Sequence, residues 1–426
     1  MNAPAQPPRG FGLARQEEVY LAGVRGRKPA VPVAAAKLEA RARRHMSRRT
    51  YAYVAGGAGL EGTIDANRAA FDRLRIVPRS LRDVSARDTS VDLFSRRLDS
   101  PLLLAPIGVL ELAHRDADLA VARAAGAEGV PMIFSNQASV AMERCAAALG
   151  DAPHWFQLYW STSNELVESL VRRAEACGCE AIVATLDTTL FGWRPRDLDL
   201  AFLPFALGRG IAQYTSDPVF IRLAEERARE PQETGPITLG AVRSLVELAH
   251  RYPGAFFTNL RSPLPRAAVR LFLQIYSRPS LTWDDLAFLR GLTRLPILLK
   301  GILDPRDART ALEHGVDGLV VSNHGGRQVD GAIASIDALP NIVEAADGAV
   351  PVLLDSGIRG GADVFKALAL GARAVLLGRP YVYGLAIAGE SGVREVLRNM
   401  RAELDLTMGL AGCASVAEIT ADALAD

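Results

Sequence analysis

The sequence is poor in cysteine. Four residues, Cys145, Cys177, Cys179 and Cys413, are scattered over 426 positions. That is too few for a disulfide-stapled secreted scaffold. Cys177-Gly178-Cys179 closes a helical pattern but has no second cysteine pair at zinc-ligand spacing, so it reads as structural and no metal is expected. An excess of one charge is also lacking. The 49 lysines and arginines nearly balance the 48 aspartates and glutamates, leaving a net charge of +1. This argues against a dominant role on nucleic acid or at a membrane surface. No apolar run reaches the ~18 residues of a membrane span. The opening Met-Asn-Ala-Pro-Ala-Gln-Pro-Pro carries no apolar core of a secretory signal. A soluble, cytoplasmic protein is expected.

What is present is apolar residues in a rhythm. They make up 49% of the chain, enough for one large barrel or two ordinary domains. Residues 1–15, rich in Pro, Gly and Ala, read as a disordered arm. Residues 16–100 read as an N-terminal helical extension. Its clearest helical pattern covers 34–54 and carries Arg41, Arg43, Arg44, Arg48 and Arg49, a solvated face or subunit contact. From residue 101 short apolar runs alternate with helical patterns. The runs lie at 101–106, 130–135, 155–159, 181–187, 295–300, 318–322, 350–355 and 374–378. Helical patterns follow them near 116–128, 140–149, 164–177, 305–314, 336–346, 361–370 and 391–409. Eight strands with helical crossovers predict a parallel, closed (β/α)₈ TIM barrel over 101–426. The rhythm breaks at about 190–282, where prolines, glycines and polar stretches such as 230–235 intervene. An insertion of this length after the fourth strand predicts a partly mobile lid over the barrel mouth.

In such a barrel the chemistry gathers at the C-terminal ends of the strands. Those ends read Ala105-Pro106-Ile107-Gly108, Ser135-Asn136-Gln137, Gln157-Leu158-Tyr159, Thr185-Leu186-Asp187, Lys300-Gly301, Ser322-Asn323-His324, Asp355-Ser356-Gly357-Ile358-Arg359 and Gly378-Arg379. His324 and Arg327 stand three residues apart with two glycines between them. An imidazole can take a proton near neutral pH, and a guanidinium can grip a carboxylate with two parallel hydrogen bonds. A base beside an anion clamp suits chemistry on an organic acid. Gly357, Arg359, Gly378 and Arg379 follow the last two strands, where such barrels commonly bind phosphate. Ser135, Gln157 and Thr185 can pair with a flat polar ring, and Lys300 can place positive charge beside a ring that becomes anionic on reduction. A flavin mononucleotide fits this set. A nicotinamide fits less well, because no Gly-x-Gly-x-x-Gly turn follows an early strand.

These residues carry a resemblance. Ser-Asn-His-Gly-Gly-Arg-Gln at 322–328 is its most specific part. Phe-Gln-Leu-Tyr at 156–159, Leu-Lys-Gly at 299–301 and the segment 365–372 add to it. From about residue 17 onward the chain resembles the FMN-dependent 2-hydroxy acid oxidising enzymes. Within them it looks closest to the lactate 2-monooxygenases, on Tyr53-Val-Ala-Gly-Gly, Ala105-Pro-Ile-Gly-Val, 191–198 and Asp217-Pro-Val-Phe. The resemblance implies His324 as base, Asp187 as its partner and Tyr159 on the substrate oxygen. It implies Arg194, Arg327 and Tyr53 on the substrate carboxylate. It implies FMN held by Ala105, Pro106, Ile107, Ser135, Gln157, Thr185, Lys300, Ser322, Asp355, Gly357, Arg359, Gly378 and Arg379. Gly108, where many members have alanine, implies extra room beside the flavin.

The implied activity is oxidation of a small, lactate-like L-2-hydroxy acid to the 2-oxo acid, with dioxygen as acceptor. Oxidative decarboxylation follows if the product is retained. A homotetramer or homo-octamer is also implied. An alternative is a family member that oxidises a larger alcohol or amine in biosynthesis. The long 221–280 segment favours it, and the two intact arginines oppose it. A non-catalytic flavin-binding scaffold is a third reading, opposed by the intact His324, Asp187 and Tyr159.

Overall fold

Eight of the short apolar runs pair side by side in parallel and close on themselves. The structure, a computed structural model, describes residues 10–231 and 238–425. The strands are β1 (Leu102–Leu104), β2 (Met132–Phe134), β3 (His154–Leu158), β4 (Ile182–Thr185), β5 (Ile297–Ile302), β6 (Gly318–Val321), β7 (Val352–Leu354) and β8 (Ala374–Leu377). They follow one another around the barrel in chain order, and β8 closes onto β1 through Val375–Leu102, Leu376–Leu103 and Leu377–Leu104. All eight predicted strands are present, and the fold is a TIM barrel.

Strand side chains alternate between faces, and the alternation sorts the core in two. Leu103, Ile133, Trp155, Val183, Leu298, Val320, Leu353 and Leu376 form one buried cluster inside the barrel. Their neighbours, such as Leu102, Phe156, Ile182, Leu299 and Leu354, belong to the larger cluster shared with the surrounding helices. A β-hairpin, Val91–Leu93 with Arg96–Leu98, adds Val91, Leu93 and Leu98 to the inner cluster and so packs against the hydrocarbon layer. This hairpin and the helix Gly62–Arg73 lie in 63–100, where the sequence pattern shows no long periodic run.

Two expectations at the N-terminus change. The disordered arm does not extend to residue 15, because a helix opens at Phe11. Residues 1–9 lie outside the described residues. The helix is tied down by buried polar contacts. The Gly12 N–H donates to Asp405 at 2.8 Å, Arg15 donates to Glu395, and Arg87 pairs with the same Asp405 at 2.8 Å. The helical pattern over 34–54 divides into Ala35–His45 and Arg48–Ala55, since the Ser47 hydroxyl accepts from the Thr50 N–H and starts a second helix. The last helix is longer than its pattern. It runs from Arg379 to Ala411 with a kink at Ala388-Gly389.

The insertion is mostly helical where described; part of its polar stretch, 232–237, lies outside the described residues. Asp217 caps the helix Pro218–Arg229 by accepting from the Val219 and Phe220 N–H groups. Tyr214 meets Phe220 and Phe272 edge to face, and Phe272 lies against Phe205. These rings belong to the large cluster shared with the barrel's helices, so the insertion packs onto the barrel. Among the described residues no helix is long and apolar enough to cross a membrane.

The Arg87–Asp405 pair is almost fully buried on both sides. Asp405→Ala leaves a buried guanidinium uncompensated, which costs about 3–5 kcal/mol. Thermal and denaturant unfolding followed by circular dichroism should show a clear loss of stability, and an unchanged midpoint would refute the role given to this pair.

Candidate active site

One level above the inner hydrocarbon layer, the two-residue period selects Ala105, Ser135, Gln157, Thr185, Lys300, Ser322, Asp355 and Gly378. All but Ala105 and Gly378 have polar side chains, and they stand over a dry floor where only neighbours can satisfy them. Ser135 Oγ donates to Gln157 Oε1 at 3.2 Å, and Gln157 Nε2 donates to Thr185 Oγ1 at 3.1 Å. Lys300 Nζ donates to Ser322 Oγ at 2.8 Å and lies 3.1 Å from Asp355 and 3.6 Å from Asp187. Burial disfavours the Lys300 charge, but Asp187 and Asp355 outweigh it and hold the ammonium above its ordinary pKa. Gly301 lets this happen. Its φ of +110° and the register shift after Lys300 bring β5 so close to Asp187 that a Cβ would stand 2.8 Å from the Asp187 Cβ.

His324 follows β6 in the left-handed region, with φ of +57°, and Gly325 and Gly326 continue the turn. Its N–H donates to Ser322 Oγ, and its Nδ1 lies 2.7 Å from Asp187 Oδ1. Burial pushes the imidazole below its ordinary pKa, with Asp187 opposing and Lys300 assisting. Burial alone raises Asp187, but the charges of His324 and Lys300 win and hold its carboxyl well below the usual range. The pair is therefore a neutral imidazole beside a carboxylate at neutral pH. The second Asp187 oxygen, Oδ2, is buried without a hydrogen-bond partner.

One cavity joins this cluster to residues from distant parts of the chain. Tyr53, Ala105, Pro106, Ile107, Tyr159, Arg194, Lys300, His324, Arg327, Asp355, Gly357, Arg359, Gly378 and Arg379 all line it. Asp187, Ser135, Gln157, Thr185 and Ser322 do not line it; they stand behind the lining and hold it in place. Gln137, Thr188, Ser356 and Tyr276 also line the cavity, and the sequence reading assigned no role to any of them. Ser356 has a positive φ between Asp355 and Gly357, a strain no sequence pattern signals. Tyr276 arrives from the insertion, which has no period to read. Gln328 is a further omission. It accepts from Arg194 at 2.7 Å and donates to the carbonyls of Asp187 and Leu190.

Four guanidiniums surround the cavity, and among the described residues they donate mainly to carbonyl oxygens and to no carboxylate. Arg194 donates to Arg327 O and Gln328 Oε1. Arg327 donates to Tyr53 O and Gly56 O. Arg379 donates to the carbonyls of Val54, Gly56 and Gly325, and Arg359 to that of Ile358. Burial and the neighbouring Arg327 push Arg194 down to about 10. Arg379 also falls to about 10, through burial and then Arg327 and Arg359, with Tyr383 opposing. Both stay charged at neutral pH. Phenols complete the wall: burial raises Tyr53 and Tyr159, so both remain protonated donors. Gly108 lines the cavity, and a Cβ there would press on Gln137 at 2.9 Å, so the glycine also serves close packing of two loops.

Gly357 has φ of +89°, and a Cβ on it would meet Phe71 and Asn67 at about 3 Å. It packs the β7 loop onto the helix Gly62–Arg73 and turns the chain toward Arg359. Gly378 is the N-cap of the helix Arg379–Ala411, so the helix N-terminus opens on the same corner as Arg359 and Arg379.

Over nearly its whole length the chain is similar to known flavin enzymes. The model of the FMN-dependent dehydrogenase family matches residues 42–426. An FMN-dependent alpha-hydroxy acid dehydrogenase of Penicillium citrinum is 42% identical over 98% of this chain and 96% of its own. An L-lactate oxidase of Lysinibacillus sphaericus is 42% identical over 90% of each chain. Among solved structures, a mandelate oxidase with (S)-4-hydroxymandelic acid superimposes with a TM-score of 0.75 at 39% identity, covering 92% of this chain and 98% of that one. This protein therefore belongs to the FMN-dependent dehydrogenase family and is an FMN-dependent oxidoreductase.

Proposed function

We propose that the protein oxidises a small, lactate-like L-2-hydroxy acid to the 2-oxo acid, with dioxygen as the final electron acceptor. One observation carries this reading: the imidazole of His324 shares a cavity with Arg194 and Arg327, two guanidiniums that among the described residues hydrogen-bond no carboxylate and feel only the charge of Asp197 from farther off. Buried cations need anions. A substrate carboxylate supplies one here, and FMN supplies a phosphate for Arg359 and Arg379.

The residues present fit FMN. Arg359 and Arg379, with the Gly357 and Gly378 backbone and the adjoining helix N-terminus, suit its phosphate. Asp355 suits ribityl hydroxyls. Lys300 suits the polar edge of the ring system, and Ser135, Gln157, Thr185 and Ser322 support it from behind. Ala105, Pro106 and Ile107 offer backbone and apolar contact. When bound, FMN supplies the two-electron acceptor and passes electrons on to oxygen.

The chain's own residues do the rest. Arg194 and Arg327 hold the substrate carboxylate, with the Tyr53 hydroxyl donating to it. Tyr159 donates to the oxygen on the 2-carbon. His324 Nε2 takes a proton from the substrate, while Asp187 keeps Nδ1 protonated and stabilises the imidazolium that forms. Fixing the acid at two points saves much of the entropy of orientation, which can amount to several kcal/mol. The substrate side chain falls to Leu110, Ala113, Phe191 and Tyr276, which also line the cavity. The 2-oxo product leaves and peroxide forms apart from it, or the retained product reacts with that peroxide to give the acid shorter by one carbon, carbon dioxide and water.

Aerobic turnover of L-lactate, with pyruvate, peroxide and acetate assayed separately, tests the proposal. Pyruvate and peroxide in equal amounts are expected. Acetate in their place marks retained product. No product from any small 2-hydroxy acid, lactate or mandelate, refutes the reading.

His324→Gln should lower kcat/KM by about 10²–10⁴-fold while the flavin absorbance is kept. The pH profile carries the sign of the imidazole shift. Burial lowers the His324 pKa from 6.5, and the neutral form is the active base. The rate should fall on the acid side only below pH 6.5. An acid limb centred above 6.5 would contradict the assignment.

Arg194→Met and Arg327→Met each remove a charged hydrogen bond, worth roughly 1.5–3 kcal/mol. Steady-state kinetics should show KM rising about 10–100-fold in each, and an unchanged KM would exclude the clamp.

A further inference from the structure

The geometry points to a second site: His154, Cys177 and Cys179 form a binding site for a zinc-class divalent metal on the face of the barrel opposite the active site. His154 is the first residue of β3, and Cys179 leads into β4. Both therefore sit at the N-terminal end of the strands, whereas the FMN cavity lies at the C-terminal end. His154 shares the outward parity of Phe156 and Leu158, so it turns away from the barrel interior toward the helix Asn164–Ala176. Cys177 ends that helix. Gly178 follows with φ of +84°, and a Cβ built on it would lie 3.8 Å from His154 Nε2. The sharp turn at Gly178 thus folds Cys177 and Cys179 back around one imidazole.

The distances suit a metal. The Sγ atoms of Cys177 and Cys179 are 3.9 Å apart. Two thiolates on one tetrahedral zinc, each about 2.3 Å from it, stand about 3.8 Å apart. All three ligand atoms lie within 4.8 Å of one another. A tetrahedral ion needs about 3.6 Å between nitrogen and sulfur, so at most about 1.2 Å of side-chain adjustment completes the set. His154 Nδ1 lies 3.2 Å from the Ala152 carbonyl. A metal-ligating histidine characteristically donates its other ring N–H to such an acceptor, which fixes the ring. Nε2 now faces the Cys177 carbonyl at 3.0 Å; metal binding exchanges that contact for the Nε2–metal bond. The ring is also stacked on Phe134.

The chemistry agrees with the geometry. Two thiolates, a neutral imidazole and a divalent ion make a complex with no net charge, which suits a half-buried place. Glu143 and Arg173 border the same cleft as His154 and Cys177, and they pair with each other at 2.8 Å. The cleft gives the ion a way in, and water can fill the fourth position. Sulfur and imidazole ligands select zinc-class ions over magnesium or calcium. A sequence search for paired Cys-x-Cys motifs overlooks this set, because its third ligand lies 23 residues upstream on another element.

The test uses the FMN-loaded enzyme, freed of metal with a chelator, kept reduced with a phosphine, and titrated with Zn²⁺ against a chromogenic chelator. One tightly held zinc per chain is expected. Cys177→Ser, at a half-exposed position, should weaken it by at least about a hundredfold, and Cys413→Ser should not. Co²⁺ in place of zinc should give tetrahedral thiolate ligand-field bands beyond the flavin absorption, lost in Cys177→Ser. Absence of stoichiometric zinc, or equal affinity in Cys177→Ser, overturns the proposal. Neither readout depends on turnover, so the outcome is independent of the 2-hydroxy acid reading.

Discussion

Closing eight parallel strands into a ring leaves each strand one inward side chain per level. The rest of the molecule depends on this restriction. At the middle level those side chains are hydrocarbon, from Leu103 round to Leu376. The next level up has no water beneath it, so its polar groups must satisfy one another sideways. Ser135, Gln157 and Thr185 form one such chain, and Lys300, Ser322 and Asp355 form another. A floor of this kind is preorganised: its dipoles and charges are oriented before any ligand arrives. The hairpin packed against the inner cluster extends the dry layer, and so protects the electrostatics above it.

Charge is the second constraint. Arg194, Arg327, Arg359 and Arg379 enclose the cavity with carbonyls as their acceptors, and Lys300 adds a fifth cation that Asp355 and Asp187 offset. Burial first, and then the like charges beside them, lower the pKa values of Arg194 and Arg379. An anionic cofactor and an anionic substrate relieve that repulsion. Binding energy at the mouth thus comes largely from interactions the folded protein leaves unmet. Burial disfavours the charged form of His324, with Asp187 opposing and Lys300 and Arg194 assisting, and so leaves the neutral imidazole that a base requires.

How much of this could be read from residues alone differs from group to group. His324 and Arg327 were legible because two glycines mark a turn at the end of an apolar run. Lys300 was legible because an ammonium that closes the apolar run Pro-Ile-Leu-Leu is drawn out of water and must meet a partner there. The phosphate corner was legible from glycines and arginines after the last two strands. Tyr53 and Arg194 were reached only through resemblance, since neither follows from a period or a spacing. Tyr276, Gln328, Thr188 and Ser356 carried no assigned role at all. Their places depend on how the insertion and the loops fold back, and such packing has no local pattern. The helix that opens at Phe11 escaped for a related reason: buried contacts to Asp405 and Glu395, nearly 400 positions away, hold it.

By itself the order of residues determined the strand count, the parallel ring and the level at which each strand turns polar. Those follow from a two-residue period and from helical spacing, both short-range properties of the chain. Only the tertiary structure decided which guanidiniums lack a carboxylate, which carboxylate meets His324, and that His154 joins Cys177 and Cys179. Each of these is a meeting of side chains from separate elements, and it exists only once the ring has closed and set their distances.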